Sequence, residues 1–394
     1  MFIGIIQFLL AGLTLCSVLY YLLCILSAHR FFSRSSIPCE NSLPPATIMI
    51  PLCGSDFKAY ENYTSFCRQD YSTYQILFGV QDPEDSSIPV IRKLISDFPE
   101  RDIELVIDSA VTGQNPKVNN LQNMLSRAKY DVLVLVDSDI RVKPDYLATL
   151  VSPLKDEHVG LVTAFYRAGE APSFAAKLEA LGITGEFAPS VLAAQLTEGI
   201  SFALGATMAL TKSKLQSIGG FKAIADYLAD DFMLGNLLWQ AGFEIRLLPY
   251  VVETFLPPAG IKNMIRHQVR WSRGIRACRP LGHLGSIITH GTSLAILNAL
   301  FHTGSPLSLF LLILTVSARL AMAWFVGIHK LGDKILAQNI SLIPLRDLLS
   351  FVVWCTSLFG KGVEWRGRLF RIVDDGKIIP TDGLSAIHRR KHSK

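Results

Sequence analysis

The stretch DVLVLVDSD, residues 131–139, is the strongest indication of the fold. From Asp131 to Val136 it is rich in valine and leucine, the composition of a strand that is buried on both faces. Two aspartates, Asp137 and Asp139, follow that strand directly. In an open parallel sheet, ligands bind at the carboxyl ends of the strands. The stretch therefore predicts a central strand and the edge of the sheet at which chemistry takes place.

The chain before this strand alternates short β-rich runs with amphipathic stretches. The predicted strands are Thr47 to Pro51, Gln75 to Val80 and Ile103 to Ile107, and the predicted helices are Phe57 to Arg68, Ile88 to Phe98 and Pro116 to Ala128. This alternation predicts βαβ units, and hence an α/β domain with a mostly parallel sheet.

The chain after the central strand continues the same domain. Its predicted elements are a strand at Val159 to Phe165, an apolar helix from Phe174 into the 190s, a strand at Phe202 to Leu210, a helix from Asp230 to about Ala241 and a strand at Phe243 to Leu248. We expect one α/β domain over residues 44–280, ending in a basic interfacial helix at 260–280.

An apolar stretch without charge runs from about Phe2 to Leu26. It is long enough to cross the membrane as a helix, which takes about 20 residues. The basic residues Arg30 and Arg34 follow this stretch, whereas a signal peptide has its basic residues before it. The positive-inside rule therefore predicts a transmembrane helix over residues 1–28 and a cytoplasmic domain after it.

Apolar residues return in residues 284–360. Two spans between about Ser286 and Gly327, separated by the turn HTGSP (302–306), are predicted to cross the membrane. A third run, Leu348 to Phe359, is shorter and precedes a basic tail at 361–394. A crossing there would place the tail outside, against the positive-inside rule, so we expect this run to be interfacial or re-entrant.

The composition fits a membrane protein with one soluble domain: half of the 394 residues are hydrophobic and 18% are charged. The seven cysteines include no CxxC pair, which favours reduced thiols over a metal site.

Residues 261–279 carry six Lys or Arg and no acidic residue. A basic amphipathic helix is typical of a membrane surface, and it could equally clamp a diphosphate. Because this helix leads into membrane spans, we expect no nucleic-acid partner.

The aspartates after the central strand predict a cation site. Asp137 and Asp139 can hold a divalent cation, Mg²⁺ or Mn²⁺, against a diphosphate, since Mg²⁺ binds a few carboxylates together with phosphate oxygens. The cation would neutralise charge on a departing nucleotide diphosphate. A solvated turn is the alternative interpretation of the same residues.

Further polar positions stand at the ends of predicted elements. Asp82 ends a strand, where it can bind a nucleobase or ribose or simply open a turn. The run NPKVNN (115–120) begins a helix, so its N–H groups and Lys117 can form a phosphate site, or merely a helix start. Asp230 and Asp231 also begin a helix, where one carboxylate can cap it and the other can act as a general base.

Taken together and in chain order, five motifs resemble those of the ceramide glucosyltransferase family: Asp82, NPKVNNL (115–121), DSD (137–139), ADDF (229–232) and HQVRW (267–271). This family is a branch of the inverting GT-A glycosyltransferases with a D, D, D, [QR]xxRW pattern. The likeness runs from the first membrane helix to at least Arg276. A related bacterial group associated with hopanoid synthesis is similar as well, including in EWRGRLFRI (364–372).

For the sugar donor, the resemblance implies that Asp82 recognises the nucleotide and that Lys117 and Asn120 line the donor site. Asp137 and Asp139 would hold the diphosphate and the metal. Ceramide-type members can lack the second Asp of the DxD motif, so the presence of Asp139 favours metal dependence.

For the acceptor, the resemblance implies that Asp231 is the catalytic base and that Arg270 and Trp271 close on the diphosphate and the acceptor. His267 stands where the family has Gln or Arg, so Gln268 or Arg266 would have to supply that contact. The remaining candidate site residues are Asn115, Asp230, His267, Gln268 and Arg273.

These observations predict an integral membrane hexosyltransferase with a cytoplasmic GT-A domain, in a bacterial inner membrane or its equivalent. It would transfer a sugar from a UDP donor, glucose first and N-acetylglucosamine second, to a lipid hydroxyl at the bilayer with inversion. The lipid would be ceramide, or alternatively a hopanoid or diacylglycerol. A processive polysaccharide synthase shares the motifs but needs more membrane helices. A non-catalytic nucleotide-sugar or lipid-binding membrane protein is the alternative of another class.

Overall fold

The computed structural model describes residues 2–34, 42–365 and 367–381. Its strands are β1 (Ala46–Pro51), β2 (Tyr74–Val80), β3 (Asp102–Ile107), β4 (Val132–Val136), β5 (Ile140–Arg141), β6 (Val159–Glu170), β7 (Thr207–Thr211), β8 (Glu244–Phe255), β9 (Gly362–Trp365), β10 (Arg368–Ile372) and β11 (Ile378–Pro380).

The α-helices are α1 (Phe2–Arg34), α2 (Ala59–Cys67), α3 (Ile88–Asp97), α4 (Pro116–Leu125), α5 (Tyr146–Val151), α6 (Phe174–Gly182), α7 (Ala188–Thr197), α8 (Lys212–Ser217), α9 (Asp230–Gln240), α10 (Ile261–Cys278), α11 (Pro280–Gly285), α12 (Gly291–Phe301), α13 (Pro306–Met322), α14 (Lys334–Asn339) and α15 (Ile343–Ser357). Short 3-10 helices cover Ser152–Lys155, Phe221–Ile224, Ser286–His290, Ile340–Leu342 and Asp374–Gly376, and π-helical turns cover Ile183–Phe187 and Ala323–Lys330.

The described residues form two compact units, each assembled from separate stretches of the chain. The sheet unit consists of residues 42–169, 200–257 and 362–381. The helical unit consists of residues 2–34, 170–199 and 258–361.

The sheet unit is built on an eight-stranded sheet of order β3-β2-β1-β4-β7-β6-β8-β5. Strands β1 to β4 run parallel, and β7 lies antiparallel to both β4 and β6. Every residue of β1, β2 and β4 is buried, as expected for strands that are covered on both faces. The predicted α/β fold is confirmed, with the valine-rich strand as β4 at its centre.

Two strand predictions need correction. The strand predicted at 202–210 begins only at Thr207, because the preceding loop packs closely on α9: a Cβ on Gly235 would lie 2.4 Å from the backbone nitrogen of Ala203. The strand predicted at 243–248 continues to Phe255. Pro249 lacks an N–H group, and proline is uncommon within a strand. For this reason the sequence pattern did not predict that the strand continues past Pro249.

The strands Gly362–Trp365, Arg368–Ile372 and Ile378–Pro380 form a second, three-stranded antiparallel sheet of order β11-β10-β9, where the sequence indicated only a basic tail. Its buried side chains are Val363, Phe370, Ile372 and Ile378. Exposed basic residues lie between these buried side chains in the sequence. Only about every second residue therefore contributes to the apolar face. Residues 382–394 of the predicted tail lie outside the described residues.

Among the described residues, four helical segments are long and apolar enough to cross a membrane: Ile6–Ser33, Pro280–Phe301, Pro306–Lys330 and Lys334–Ser357. The fourth is longer than the run predicted at 348–359 because α14 and the start of α15 precede it. It contains Asp347, whose Oδ1 lies 2.8 Å from Nη2 of Arg319 on α13, with both side chains buried. Pairing of this kind is what allows charged residues among membrane helices.

Candidate functional site

Two predicted aspartates lie at the same edge of the sheet. The carboxyl ends of β2, β1 and β4 are neighbours there, since these strands are parallel and adjacent. Asp82 follows β2; it is exposed, and its Oδ1 accepts a hydrogen bond from the backbone N–H of Glu84 at 2.9 Å. Asp137 follows β4, with β1 between the two strands.

The DSD motif presents two carboxylates in different settings. The Asp137 side chain is 39% exposed. Asp139 is fixed by β8, since its Oδ2 accepts a hydrogen bond from Oγ1 of Thr254 at 2.7 Å. Between them, Ser138 donates a hydrogen bond to Asp56, which follows β1. Sequence reasoning missed Asp56, although its position after a parallel strand was the available signal.

This edge concentrates negative charge. Burial, followed by the charges of Asp137 and Asp56, raises the pKa of Asp139 to about 7. A divalent cation would relieve that repulsion, so the two aspartates of the motif fit a metal ion. Within the described ranges no group of three or more His, Cys, Asp or Glu side chains is set to hold one. Phosphate oxygens would therefore have to complete its coordination, which is the usual arrangement for Mg²⁺.

Lys117, in the first turn of α4, connects the two acidic motifs. Its Nζ lies 2.6 Å from Oδ1 of Asp137 and 3.4 Å from Oδ2 of Asp230. Burial alone would lower the pKa of this ammonium, but the charges of Asp137, Asp230 and Asp231 outweigh burial and raise the pKa. Lys117 is therefore held as a cation beside the carboxyl end of β4.

The candidate residues Asn115 and Asn120, at the start of α4, both bind backbone groups. Asn115 caps the helix through its Oδ1, and its Nδ2 donates to the carbonyl of Tyr227 at 2.8 Å. Asn120 is buried, and its Nδ2 donates to the carbonyls of Gly79 and Leu52 at 2.6 and 3.2 Å. Asn120 thus joins the ends of β1 and β2, and its contact with a sugar donor stays a prediction.

Asp230 and Asp231 begin α9 in different environments. Asp230 is buried and is held by Lys117 and by Asn115, whose Nδ2 lies 3.4 Å from Oδ1 of Asp230. Asp231 is half-buried and accepts one hydrogen bond, from the N–H of Phe232 at 2.7 Å. Burial, followed by the charge of Asp230, raises the pKa of Asp231 to about 6, against the opposing charge of Lys117. Asp230 is therefore engaged in structure, whereas Asp231 suits proton transfer near neutral pH.

Gly205 lies against Asp231. A Cβ at this position would lie 2.7 Å from Oδ2 of Asp231, closer than Cβ atoms approach other atoms in real structures. The loop before β7 thus fixes one side of the carboxylate. Sequence reasoning missed this residue, because the contact joins two segments that no motif connects.

The HQVRW motif lies on α10, in the helical unit. Nδ1 of His267 is 2.7 Å from Oε1 of Glu179, and its ring centroid is 4.4 Å from that of Trp271. Gln268 accepts a hydrogen bond through Oε1 from Nη2 of Arg346 at 2.7 Å. The position that departs from the [QR]xxRW pattern is therefore held by a carboxylate of its own unit. Neither Glu179 nor Arg346 was identified from the sequence.

The remaining candidates on α10 are Arg270, Trp271 and Arg273. Arg270 is half-buried, Trp271 is 40% exposed, and Nη2 of Arg273 donates to the carbonyl of Phe359 at 2.9 Å. The structure thus brings the aspartates, Lys117 and Asn115 together in the sheet unit, and the aromatic and basic candidates together on one helix of the helical unit.

Comparison with known sequences identifies the family. The sequence model of glycosyl transferase family 21 matches residues 9–378. Ceramide glucosyltransferase 3 of Caenorhabditis elegans is 23% identical over 369 residues, which cover 90% of this chain and 78% of that protein. The ceramide glucosyltransferase of Candida albicans is 38% identical over 128 residues, which cover 29% of this chain and 23% of that protein.

Comparison with solved structures agrees on the fold. A mannosyltransferase from Pyrobaculum calidifontis, in complex with GDP-Man and Mn²⁺, aligns with a TM-score of 0.54 at 17% identity, over 90% of this chain and 99% of that one. The shared fold is GT-A, as predicted. Because the family's sequence model spans nearly the whole chain, including every motif quoted above, the chain belongs to glycosyl transferase family 21 and is a membrane glycosyltransferase.

Proposed function

We propose that this enzyme transfers a hexose from a UDP-sugar to the hydroxyl of a membrane lipid with inversion, with UDP-glucose and ceramide as the first candidates. One observation carries the proposal: the half-buried Asp231 follows Asp230, and Asp230 is connected to Asp137 through ion pairs of both with Lys117. This arrangement supports a role for Asp231 as a base beside a diphosphate site. The names of the relatives support the choice of sugar and lipid, since both relatives above are ceramide glucosyltransferases.

On the donor side, Asp82 would receive the nucleotide at the end of β2, while Lys117 meets the diphosphate at the end of β4. The DSD aspartates would bind a divalent cation, Mg²⁺ or Mn²⁺, which stabilises the charge on the departing diphosphate. Lys117 adds a second, fixed positive charge at this point. Lys117 is in place before reaction, and a bound cation would be as well, so the site would need little reorganisation as the leaving group becomes more negative.

On the acceptor side, Asp231 would remove the proton from the lipid hydroxyl. The resulting oxygen attacks the anomeric carbon while the bond to UDP breaks, so the proton ends on Asp231 and the bonding electrons end on the diphosphate. A single displacement inverts the anomeric centre, which turns an α-linked donor into a β-glycoside. Arg270 and Trp271 are proposed to close on the diphosphate and acceptor.

A transfer assay with purified protein in detergent tests this function. It offers UDP-glucose or UDP-N-acetylglucosamine with ceramide, a hopanoid or diacylglycerol, each with and without Mn²⁺. Glycolipid from the UDP-glucose and ceramide pair is the expected result. Glycolipid from another pair would replace the proposed substrates but keep the reaction, whereas a lack of turnover with every pair would contradict it.

The rate is expected to depend on the protonation of Asp231. A base acts in its deprotonated form, and the pKa of Asp231 is raised to about 6 by burial and by Asp230. With saturating donor and metal, kcat should be level above about pH 7 and fall about tenfold per pH unit below about pH 6. Measuring kcat between about pH 4 and 8 checks this. An acid limb centred near 4, the ordinary carboxyl value, would contradict the role of burial.

Replacing Gly205 by Ala is expected to lower kcat by about 100-fold, since a displacement of about 1 Å in a catalytic group can cost that much. The new methyl group would meet Oδ2 of Asp231 at 2.7 Å and push the carboxylate away. Gly285→Ala is the matched control, because a Cβ there meets nothing within 4 Å. Equal kcat values in the two variants would show that the contact with Gly205 does not position Asp231.

We also propose a membrane topology. Residues 257 and 362 both belong to the sheet unit, so they lie on the same side of the membrane and the chain between them crosses an even number of times. Three candidate spans lie in that stretch. We therefore infer that Pro280–Phe301 and Pro306–Lys330 cross as a hairpin, whereas Lys334–Ser357 does not cross completely. With Arg30 and Arg34 inside, the sheet unit is cytoplasmic.

This topology predicts opposite labelling of two exposed positions. In a background without native cysteines, Thr303→Cys in the hairpin turn should react with a membrane-impermeant maleimide in intact cells. Glu157→Cys in the sheet unit should react only after permeabilisation. Labelling of both positions from the same side would rule out the hairpin.

A further inference from the structure

The segment before the Asp230–Asp231 pair, residues 225–228, lies between two other pieces of backbone in the sheet unit. One is the loop at 113–115 that leads into α4 and Lys117. The other is the turn between β10 and β11, which comes about 150 residues later in the chain. The three-stranded sheet to which this turn belongs supplies no residue to the proposed chemistry.

The C-terminal side of this contact has the pattern of a short antiparallel bridge. Tyr227 pairs with Lys377. On either side of that pair, the N–H of Ile378 donates to the carbonyl of Asp226 at 2.8 Å, and the N–H of Leu228 donates to the carbonyl of Gly376 at 3.2 Å. Residues 226–228 thus lie along the edge of the C-terminal sheet and pair with it over one residue pair, Tyr227 with Lys377.

The other side of the segment is fixed by the loop at 113–115. The N–H of Asn115 donates to the carbonyl of Ala225 at 2.8 Å. The N–H of Gln114 donates to Oδ1 of Asp226 at 2.9 Å. Gly113 packs so closely that a Cβ would lie 2.5 Å from the carbonyl oxygen of Ala225. The conformation of 225–228 is therefore determined from both sides, and α9 begins at Asp230, two residues after Leu228.

We propose that the C-terminal sheet, β9 to β11, positions the catalytic carboxylate: by pairing with residues 226–228 it sets where α9 starts, and thus where Asp231 stands relative to Lys117 and Asp137. This rests on the proposed role of Asp231 as the base. The sheet can do this because its own side chains Phe370, Ile372 and Ile378 are buried, which makes it a folded support. Ile378, Gly376 and Lys377 are positioning residues, since they act through the backbone of the acidic segment.

The test removes one hydrogen bond at a time. Ile378→Pro deletes the N–H that is directed at Asp226, while Ile378→Val keeps that N–H and shortens the same buried side chain. Gly376 has φ +83°, so Gly376→Ala strains the turn whose carbonyl accepts from Leu228, and it serves as a second variant if Ile378→Pro does not fold. Each variant is purified as the full chain and compared with the unaltered enzyme.

Two measurements are made on each variant: hydrogen–deuterium exchange of the peptide covering residues 224–234, and kcat and KM for UDP-glucose with ceramide. In Ile378→Pro and Gly376→Ala we expect faster exchange in that peptide and a kcat lower by about tenfold, with KM for the sugar nucleotide changed by less than about twofold. Ile378→Val should resemble the unaltered enzyme in both.

The outcomes separate this proposal from the proposed function. Faster exchange with unchanged kcat would overturn the positioning role while leaving Asp231 as the base. If exchange is unchanged in both Ile378→Pro and Gly376→Ala, the C-terminal sheet does not order residues 226–228, and the proposal is overturned. No transfer by the unaltered enzyme with any of the donor and acceptor pairs, together with the expected exchange, would support the ordering by the sheet and overturn the proposed function.

Discussion

Replacing Asp231 by Asn is expected to lower kcat by about 10³-fold, within the range that general-base catalysis contributes. Asn has the same shape and can still accept the hydrogen bond from the N–H of Phe232, which Oδ1 of Asp231 accepts at 2.7 Å. It cannot take a proton, however, so the lipid hydroxyl would attack without activation. KM for the UDP-sugar should change by less than about threefold, because Lys117 and the DSD motif are untouched.

Steady-state transfer is measured for the unaltered enzyme and for Asp231→Asn, and binding of UDP is measured separately by calorimetry. Asp97→Asn is the matched control, since Asp97 lies at the end of α3 and pairs with Lys93 on the surface. If Asp231→Asn keeps more than about a tenth of the rate, the base must be another group. Retained UDP binding with lost turnover would separate a catalytic defect from misfolding.

The second large effect is expected for Asp139→Asn, with kcat/KM lower by about 100-fold, because a cation supplies several kcal/mol of charge stabilisation in such reactions. Asn keeps the size of the side chain and can still accept the hydrogen bond from Thr254, which Asp139 accepts at 2.7 Å. It removes one of the two negative charges that would hold the metal. Raising the Mn²⁺ concentration should therefore restore part of the activity.

The control for this variant is Thr254→Val, which removes the hydrogen bond and keeps the carboxylate. It should lose much less activity, and its dependence on Mn²⁺ should resemble that of the unaltered enzyme. Activity is measured over a range of Mn²⁺ concentrations and after treatment with a chelator. Full activity of the unaltered enzyme in excess chelator would contradict a metal at the DSD motif.

The parallel part of the fold was predictable from the sequence because its signals are local. β1, β2 and β4 are buried on both faces, so they appear as continuous apolar runs. Polar motifs follow directly at the carboxyl ends of β2 and β4. Since parallel strands place these ends at one edge, the positions of Asp82 and Asp137 in the sequence are enough to assign both residues to the same edge of the sheet.

Other parts of the site depend on contacts between distant segments, which no local pattern records. The ion pair of Lys117 with Asp230 joins residues 113 positions apart, and the contact of Gly205 with Asp231 depends on the packing of a loop. The C-terminal sheet escaped prediction because its three strands are five residues or shorter, with charged residues between the buried ones. In each case the tertiary structure, rather than propensity, determines the arrangement.

Asn120 of the NPKVNN run shows a further limit. A helix start with polar residues and a lysine predicts a phosphate site, and for Lys117, which pairs with Asp137 and Asp230, this stays a prediction. Asn120, however, donates to the carbonyls of Gly79 and Leu52 at the ends of two strands. Motif position alone cannot separate a side chain that contacts substrate from one that holds the strands in place.

In a single displacement, a lipid hydroxyl that Asp231 deprotonates attacks the anomeric carbon, so the configuration of the product reports on the mechanism. Purified enzyme is supplied with the α-linked donor UDP-glucose and with ceramide, and the anomeric proton of the glycolipid is measured by NMR. We expect a β-glucoside as the product of the unaltered enzyme, with its formation almost abolished in Asp231→Asn. An α-glucoside would rule out the single displacement, because retention requires a different mechanism and a different role for Asp231.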